Sequence, residues 1–333
     1  MALAAPPRSD EQSAPAPKGL GAGTRPPGVV TDRLFRWVAL AAGLMVLVIL
    51  GLIVFTTIKN SWPWFQDEGI NVLADDWNPA KGHFGAGAMI YGTFLVGLIA
   101  LLISVPVSIG IALFVTEVAP RRARKPIVYA VDLLAAVPSV VYGLWALYAL
   151  RQPLADLYSS ISSATSGIPL VKELTADPSP TGLSYMTAGI IVAIMITPII
   201  TSLTREVFAT TPLALKEASY GLGATRWEMI RGSVFPHSRG GVVSAVMIGL
   251  GRAIGETIAV ALLVGASQTI SPHLFGPGDT LASLIANQFG EATGTYRAAL
   301  IGMGLILLVL TVGVGMLARG FVNRFDKRTG ASL

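Results

Sequence analysis

Hydrophobic residues along this chain are gathered into long runs that are separated by polar segments. A bilayer core about 30 Å thick requires ~20 consecutive, mostly apolar residues for one helical crossing. Six runs meet that length and are the predicted spans, at about residues 34–57, 89–115, 127–150, 186–204, 241–267 and 298–321. The pattern therefore predicts an all-α polytopic membrane protein with six transmembrane helices. The first span is expected to be an uncleaved anchor rather than a signal peptide.

The charges of the connecting segments alternate along the chain and predict the orientation. Most basic residues fall in segments on one side of the predicted membrane: Arg33, Arg36, Arg121, Arg122, Arg124, Lys125, Arg205, Lys216, Arg226, Arg231, Arg239, Arg319, Arg324, Lys327 and Arg328. Because cytoplasmic segments carry the excess of Lys and Arg, both termini are predicted to be cytoplasmic. Three long outer segments follow, at about residues 58–88, 151–185 and 268–297.

The same pattern gives the expected domain organisation. Residues 1–32 are rich in Ala, Pro and Gly and predict a disordered cytoplasmic tail. Residues 33–325 are predicted to form one six-helix transmembrane domain with a cytoplasmic loop at 205–240, and residues 326–333 a second cytoplasmic tail. In the outer segments, Trp62, Trp64 and Trp77 are expected to form an interfacial belt. Residues 280–289 are too short to span and are predicted to form a short helix at, or dipping into, the outer surface.

Composition agrees with a membrane protein and excludes several kinds of chemistry. The chain has 333 residues, of which 53% are hydrophobic and 13% charged, and its mean hydropathy is +0.64. The absence of cysteine excludes disulfides and thiolate sites. His83, His237 and His273 fall in segments on both sides of the membrane, so no shared metal site is expected. The net charge of +5 reflects topology signals at an anionic lipid surface, and no nucleic-acid partner is predicted.

The cytoplasmic loop carries two sets of helix signals. Thr211 and Pro212 predict a helix start with a capping threonine, and glycines at 221–223 predict its end. Thr225 and Glu228 fit a capping box that opens a second helix, which Pro236 is expected to end. The two short helices would bend at Gly223. Four apolar side chains are expected to be exposed on them: Leu213, Leu215, Trp227 and Met229.

Two opposite charges lie deep in the fifth predicted span. A charge at mid-membrane costs ~2.5–3.5 kcal/mol on insertion scales, so Arg252 and Glu256 mark a pathway or a partner. Residues four apart share a helix face, so the two side chains are expected to meet. Gly249, Gly251 and Gly255 would let a neighbouring helix or a substrate approach the backbone. A structural ion pair that locks the helix bundle is the alternative to a transport role.

Several stretches resemble a known family. Glu217, Ala218 and Ser219, with Gly223 and then Pro236 at a fixed gap, resemble the EAA loop of ABC-importer permeases. The resemblance departs at Ser219, where alanine is usual, and at Ser233 and Phe235, where isoleucine and leucine are usual. Four further stretches resemble phosphate ABC-transporter permeases of the PstC type: residues 91–120, 135–147, 249–257 and 280–294. GETIAV at 255–260 is closer to that type than to the partner PstA type, and the resemblance covers about residues 85–325.

This resemblance implies a set of roles and partners. It implies the type I ABC importer permease fold and a heterodimer with a PstA-type permease in the bacterial cytoplasmic (inner) membrane. Two copies of a separate ATPase subunit would hold ATP-Mg, and an outer phosphate-binding protein would deliver substrate; this chain would bind no cofactor and catalyse no reaction. The implied ATPase-docking residues are Glu217, Ala218, Gly223, Thr225, Trp227 and Pro236. The implied transport residues are Arg252 and Glu256, and an arginine fork matches phosphate oxygens.

Three other functions remain open at the level of sequence. The chain could serve another oxyanion, sulfate or molybdate, since composition does not separate tetrahedral anions. A membrane scaffold that senses phosphate would keep the docking loop but would not need Arg252 and Glu256. A standalone channel or proton-coupled carrier would not need an ATPase-docking loop.

Overall fold

The computed structural model describes residues 29–329, and the side-chain surroundings of residues 32–69, 71–169 and 171–320. Of the tail predicted at residues 1–32, residues 1–28 lie outside this range. The last four residues of the predicted C-terminal tail, 330–333, also lie outside it. The chain divides into two compact units, Met1–Ile53 and Val54–Leu333. The first unit contributes the N-terminal part of the first helix, and the second unit contains the features described below.

The described chain is almost entirely helical. Its α-helices are α1 (Val29–Glu68), α2 (Gly87–Leu113), α3 (Arg121–Ala136), α4 (Ser139–Trp145), α5 (Arg151–Thr165), α6 (Pro169–Thr175), α7 (Tyr185–Ala209), α8 (Leu213–Gly221), α9 (Arg226–Met229), α10 (Phe235–Ile254), α11 (Ile258–Leu263), α12 (Leu281–Gln288) and α13 (Gly294–Thr329). Three π turns lie at Phe114–Val118, Ala146–Leu150 and Ile230–Val234, and a 3₁₀ turn lies at Gly69–Leu73. The antiparallel strands β1 (Trp77–Asn78) and β2 (His83–Phe84) form a small hairpin.

Four helical stretches are long and apolar enough to cross a membrane: Asp32–Glu68, Gly87–Val118, Tyr185–Ala209 and Gly294–Gly320. A fifth crossing can be formed by α3 together with α4–α5, although the two parts are bent by 89°. The bend follows from Pro138, because a proline disfavours helical geometry in the residue before it, and Val137 is extended (φ −68°, ψ 127°). The predicted multi-pass helical architecture is confirmed, while the count of six spans and the side of the termini remain predictions.

Close packing between α2 and α7 forms the centre of the helical core. A side-chain carbon added to Gly189 of α7 would lie 2.4 Å from Ile99 of α2, so only glycine fits this contact. The hydroxyl of Ser108 donates to the carbonyl oxygen of Thr197 at 3.0 Å and joins the two helices further along. A carbon added to Gly249 of α10 would lie 2.6 Å from Ile200. Small residues therefore bring three helix backbones together, as is common in membrane bundles.

The tryptophans of the first outer segment are part of a second core cluster. Trp64 is fully buried, and its indole Nε1 donates to the carbonyl oxygen of Phe84 at 3.1 Å. Trp77 is also buried, and its Nε1 donates to the side-chain oxygen of Gln288 at 3.1 Å. The predicted interfacial belt is therefore wrong for these two residues, because tertiary contacts satisfy both indole groups; Trp62 alone is exposed.

The short helix predicted at residues 280–289 is confirmed as α12 (Leu281–Gln288). Thr280 caps it, and the Ser283 backbone N–H donates to the Thr280 hydroxyl at 3.2 Å. Its apolar residues Leu281 and Leu284 are fully buried, and the helix packs against α2 and α13. The helix is thus part of the protein core at this end of the bundle.

Candidate functional site

The loop at residues 205–240, which is predicted to be cytoplasmic, forms two short helices joined by a glycine bend. Helix α8 ends at Gly221, and the Gly223 N–H donates to the carbonyl oxygen of Tyr220 at 2.9 Å. Gly223 has a φ of +80°, a backbone region that side chains with a Cβ rarely adopt. The Ala224 N–H then donates to the carbonyl oxygen of Ser219 at 3.1 Å and closes the turn. The predicted bend at Gly223 is confirmed.

The second helix of the loop starts with the predicted capping box. The Thr225 N–H donates to the Glu228 carboxylate at 2.8 Å, and the Glu228 N–H donates to the Thr225 hydroxyl at 3.4 Å. The backbone N–H and the hydroxyl of Thr225 each donate to the Glu228 carboxylate at 2.8 Å, and these two hydrogen bonds stabilise its ionised form and lower the pKa of Glu228 below its usual value. The N-terminal signals at this position were therefore correctly interpreted from sequence.

Two other boundaries in the loop were predicted wrongly. Helix α8 begins at Leu213 with Pro212 as its cap residue, and the Thr211 hydroxyl lies instead 3.4 Å from that of Ser238. Pro236 does not end the second helix. The chain continues from α9 through the π turn Ile230–Val234 into α10, where Pro236 occupies the first turn. The π turn at Ile230–Val234 already interrupts the regular i→i−4 hydrogen-bond pattern directly before this proline.

The loop exposes apolar side chains on one connected element. Trp227 is 61% exposed, Leu213 is 68% exposed and Leu222 is 91% exposed. Leu215, Glu217 and Ala218 are exposed as well, whereas Pro236 is half-buried. Met229 does not belong to this surface: it is buried with Phe208 and Val234, so its predicted exposure is wrong. The remaining apolar groups form a surface of the kind that binds another protein.

An ion pair ties the loop to the end of α2. The Lys216 Nζ lies 2.6 Å from the Glu117 Oε1, and both side chains are largely buried. The hydroxyls of Ser219 and Ser233 lie 2.7 Å apart and hold α8 against the π turn that leads into α10. Sequence reasoning missed Glu117, because a separation of 99 positions hides the pairing. The only available signal was an acidic residue next to a strongly basic segment.

The fifth predicted span is broken at its charged residues. Helix α10 ends at Ile254, Gly255 follows as its C-terminal cap, and α11 starts at Ile258. The predicted continuous helix over 241–267 and the predicted contact between Arg252 and Glu256 are therefore wrong. No acidic side chain that the structure describes forms an ion pair with Arg252. The i,i+4 geometry requires an unbroken helix, and Gly255 removes it.

Each charged residue at the break has its own surroundings. The buried carboxylate of Glu256 accepts a hydrogen bond from the backbone N–H of Ala259 at 3.4 Å, in the first turn of α11. Arg252 is exposed in the last turn of α10. A carbon added to Gly251 would meet nothing within 4 Å. Arg252 therefore lies on an open part of this chain, next to a break in a membrane helix, and such breaks often form substrate sites in transporters.

A buried acidic group lies at the opposite end of the bundle, just before α12. The Asp279 Oδ1 accepts a hydrogen bond from the Thr280 N–H at 2.8 Å and another from the Ser283 hydroxyl. Burial raises the pKa of Asp279 to about 6, although both hydrogen bonds oppose the shift. In the sequence, Asp279 falls in the outer segment at about residues 268–297, and no neighbouring residue indicates that it is buried. Among the described residues no group of three or more His, Asp or Glu side chains is placed to hold a metal ion.

Comparison with known proteins identifies the family to which the chain belongs. Residues 104–330 match the family described as the binding-protein-dependent transport system inner membrane component. The Phosphate transport system permease protein PstC of Mesorhizobium japonicum is 45% identical over 305 residues, which cover 91% of this chain and 93% of that protein. The protein of the same name from Xylella fastidiosa is 42% identical over 301 residues, covering 90% and 93%.

The chain belongs to this permease family. Within it, the chain belongs to the PstC type, as the stretches at residues 91–120 and 249–257 predicted. The family comprises membrane components of transport systems, so the permease is not itself an enzyme. It is a multi-pass membrane protein.

A solved structure supports the fold of the permease. A chain of a bacterial alginate ABC transporter, in complex with an alginate pentasaccharide-bound periplasmic protein, matches with a TM-score of 0.54. The identity is 17%, and the match covers 92% of the permease and 99% of that chain. The predicted ABC-importer permease fold is confirmed, whereas the roles of the loop residues and of Arg252 and Glu256 stay predictions.

Proposed function

We propose that the permease is a transmembrane subunit of an ATP-driven phosphate importer in the bacterial inner membrane. It would form the translocation path with a homologous PstA-type permease, and an outer phosphate-binding protein would deliver the anion. Similarity over nine-tenths of the chain to relatives named as phosphate transport permeases supports the substrate, and the family's description as binding-protein-dependent supports the outer binding protein.

The observation that carries the coupling proposal is the continuity between the loop and the broken helix. Helix α9 passes through one π turn into α10, and α10 ends two residues after Arg252. Twenty helical residues span about 30 Å, so α10 can act as a lever between the cytoplasmic loop and the middle of the membrane. A rotation of the loop would therefore move the end of α10 that carries Arg252.

The exposed surface of the loop is the proposed ATPase-docking site. Trp227, Leu213 and Leu222 offer the apolar contacts, and aromatic side chains of this kind often dominate binding at protein interfaces. Glu217 and Ala218 lie exposed on α8, Gly223 sets the bend, and Thr225 caps α9. Pro236 supports the site from the first turn of α10. Two ATPase subunits with ATP-Mg would bind, one on each permease.

The two charged residues at the break have different proposed roles. Arg252 is exposed and without an ion pair in the described chain, so its guanidinium is available to a desolvated phosphate in the path between the two permeases. An arginine fork can donate two parallel hydrogen bonds to phosphate oxygens. Glu256 supports the start of α11 through its hydrogen bond from Ala259, and so fixes the geometry of the break.

Uptake of labelled phosphate by cells lacking other phosphate carriers tests this function. Unlabelled phosphate should abolish the signal, whereas sulfate and molybdate should leave it unchanged. Arg252→Gln should assemble normally but lose most uptake, and Arg252→Lys should keep part of it because the charge remains. Equal competition by sulfate would contradict the substrate, and near-normal uptake by Arg252→Gln would contradict the role of Arg252.

A further inference from the structure

A basic cavity lies beside the cytoplasmic loop, away from the helix break. It has a volume of about 340 Å³ and is formed where the end of α2, the first half of α3 and the end of α7 meet. Its lining residues are Val115, Thr116, Arg124, Lys125, Val128, Tyr129 and Arg205. This volume lies within the range of small-molecule binding sites. None of these residues has a part in the proposed transport or docking functions.

The three cations of this cavity are not neutralised by the protein. Among the side chains that the structure describes (residues 32–69, 71–169 and 171–320), no acidic group forms an ion pair with Arg124, Lys125 or Arg205. Arg124 donates from its Nε to the carbonyl oxygen of Ala119 at 3.1 Å, which fixes its stem near the end of α2. Asp132 lines the adjoining small space together with Arg205, but the two do not pair. Three unpaired cations in one cavity favour an anion of more than one charged or polar oxygen.

The surroundings of the cavity favour an anion that carries an apolar chain. Val115 and Val128 form part of its wall, and the Tyr129 side chain is 65% exposed at its edge. Helix α3 continues from this basic half into an apolar half, where Leu133 is 70% exposed. The helix has a polar, cationic start and an exposed apolar end, and this arrangement is typical of helices in contact with a lipid headgroup region.

We propose that this cavity binds the phosphate headgroup of an anionic phospholipid from the cytoplasmic leaflet. The guanidinium groups of Arg124 and Arg205 and the ammonium group of Lys125 would hold the phosphodiester, and the acyl chains would follow the apolar half of α3. Basic cavities between membrane helices on the cytoplasmic side are suited to such headgroups.

The position of the cavity gives the lipid a structural consequence. Glu117, the partner of Lys216 in the loop, follows the lining residues Val115 and Thr116 within the same π turn. The single negative charge of a bound phosphodiester would offset part of the repulsion among the three cations and help to hold α3 against α2 and α7. The lipid would therefore stabilise the end of the bundle to which α8 is attached.

The experiment measures phospholipid binding to the full-length permease purified in its complex in detergent. Thermal unfolding is followed with mixed micelles that contain phosphatidylglycerol or phosphatidylcholine. Phosphatidylglycerol should raise the unfolding midpoint and phosphatidylcholine should not. Each neutralised cation should weaken phosphatidylglycerol binding about fivefold, so Arg124→Gln/Lys125→Gln/Arg205→Gln should lose nearly the whole effect. A third arm uses inorganic phosphate without lipid.

The matched control is Arg121→Gln/Arg122→Gln, which removes two exposed cations from the same helix turn outside the cavity lining. It should keep the phosphatidylglycerol effect. If the triple variant does not assemble, the single variant Lys125→Gln replaces it, because Lys125 is exposed. This variant should bind phosphatidylglycerol about fivefold more weakly. Equal effects of the two lipids or an equal loss in the control would overturn the proposal. So would stabilisation by inorganic phosphate that the triple variant also loses, because phosphate bound at Arg252 would stabilise that variant as well.

Discussion

At Gly223 the backbone of the loop depends on the absence of a side chain. Its φ of +80° is unfavourable for any residue with a Cβ, by about 1–2 kcal/mol, although open space surrounds the position. The strain therefore comes from the backbone alone. Gly221, two residues earlier, also has open space but a normal helical backbone.

This difference gives a matched pair of variants. Gly223→Ala should shift the angle between α8 and α9 and reduce the amount of ATPase subunit that co-purifies with the permease. Gly221→Ala should leave it unchanged, since Gly221 lies within α8 and alanine has a higher helix propensity than glycine. Quantified ATPase per permease after purification is the measurement. If both variants retain a full complement, the bend does not set the docking geometry.

Asp279 predicts a pH dependence of stability. Its pKa is about 6 in the folded protein and ~3.9 in an unfolded chain, so between these values the folded state binds more protons. Stability should therefore fall as pH rises from about 4 to 6 and level off above that range. Asp279→Asn should lose much of this dependence because an amide does not titrate. Its side-chain oxygen can still accept the Thr280 and Ser283 hydrogen bonds, so the local structure should be kept.

Thermal unfolding of the detergent-purified protein at pH 4.5 and pH 7 checks this prediction. The difference between the two midpoints should be smaller for Asp279→Asn than for the unchanged protein. The exposed outer-segment residue Asp75 provides the control, and Asp75→Asn should leave the difference unchanged. An unaltered difference in Asp279→Asn would show that other groups cause the pH dependence.

Structural features that depend on a few neighbouring residues could be predicted from the sequence, whereas contacts that depend on a longer stretch of helix could not. The capping box at Thr225 and the bend at Gly223 depend on a few neighbouring residues, and both were predicted. The contact between Arg252 and Glu256 was predicted from spacing in an unbroken helix. The break at Gly255 removes that helix, and the apolar residues on both sides concealed it.

At the scale of elements, the Lys216–Glu117 ion pair connects the loop to α2. Either single reversal, Glu117→Lys or Lys216→Glu, places like charges in a largely buried space. The cost should be below the ~3–5 kcal/mol of a fully buried pair, because Lys216 is partly exposed. The double reversal restores opposite charges and should recover coupling.

The ratio of phosphate transported to ATP hydrolysed measures this coupling. Both single variants should lower the ratio while the complex still assembles, and the double variant should raise it again. A double variant no better than the single ones would mean that the ion pair does not transmit motion.

The helices themselves differ in how far they could be predicted. Long apolar runs made α2, α7 and α13 evident, because length and hydropathy decide a crossing. Helix α1 continues to Glu68, beyond its apolar run, and this extension buries Trp64 against Phe84. Pro138 was interpreted from the sequence as a kink, and the chain bends there by 89° after α3, an angle that the sequence did not indicate. Tertiary packing determines how far α1 extends and how sharply the chain bends after α3, and hydropathy alone does not predict that packing.

At the scale of the whole molecule, the permease is proposed to work as one part of an ATP-driven pump. The loop offers a surface for another protein, α10 connects that surface to the helix break, and Arg252 is exposed at the break. Each feature is incomplete without a partner. A channel or carrier that works alone would need neither the exposed Trp227 nor the continuous α9–α10 connection.

Reconstitution in lipid vesicles tests this claim most directly. The permease, the PstA-type permease, the ATPase and the phosphate-binding protein are combined, and labelled phosphate in the vesicle interior is measured with the binding protein outside or inside. Uptake should require ATP-Mg on the loop side, should require the binding protein on the opposite side, and should stop when any one subunit is omitted. Phosphate uptake without ATP or without the ATPase subunit would contradict the account.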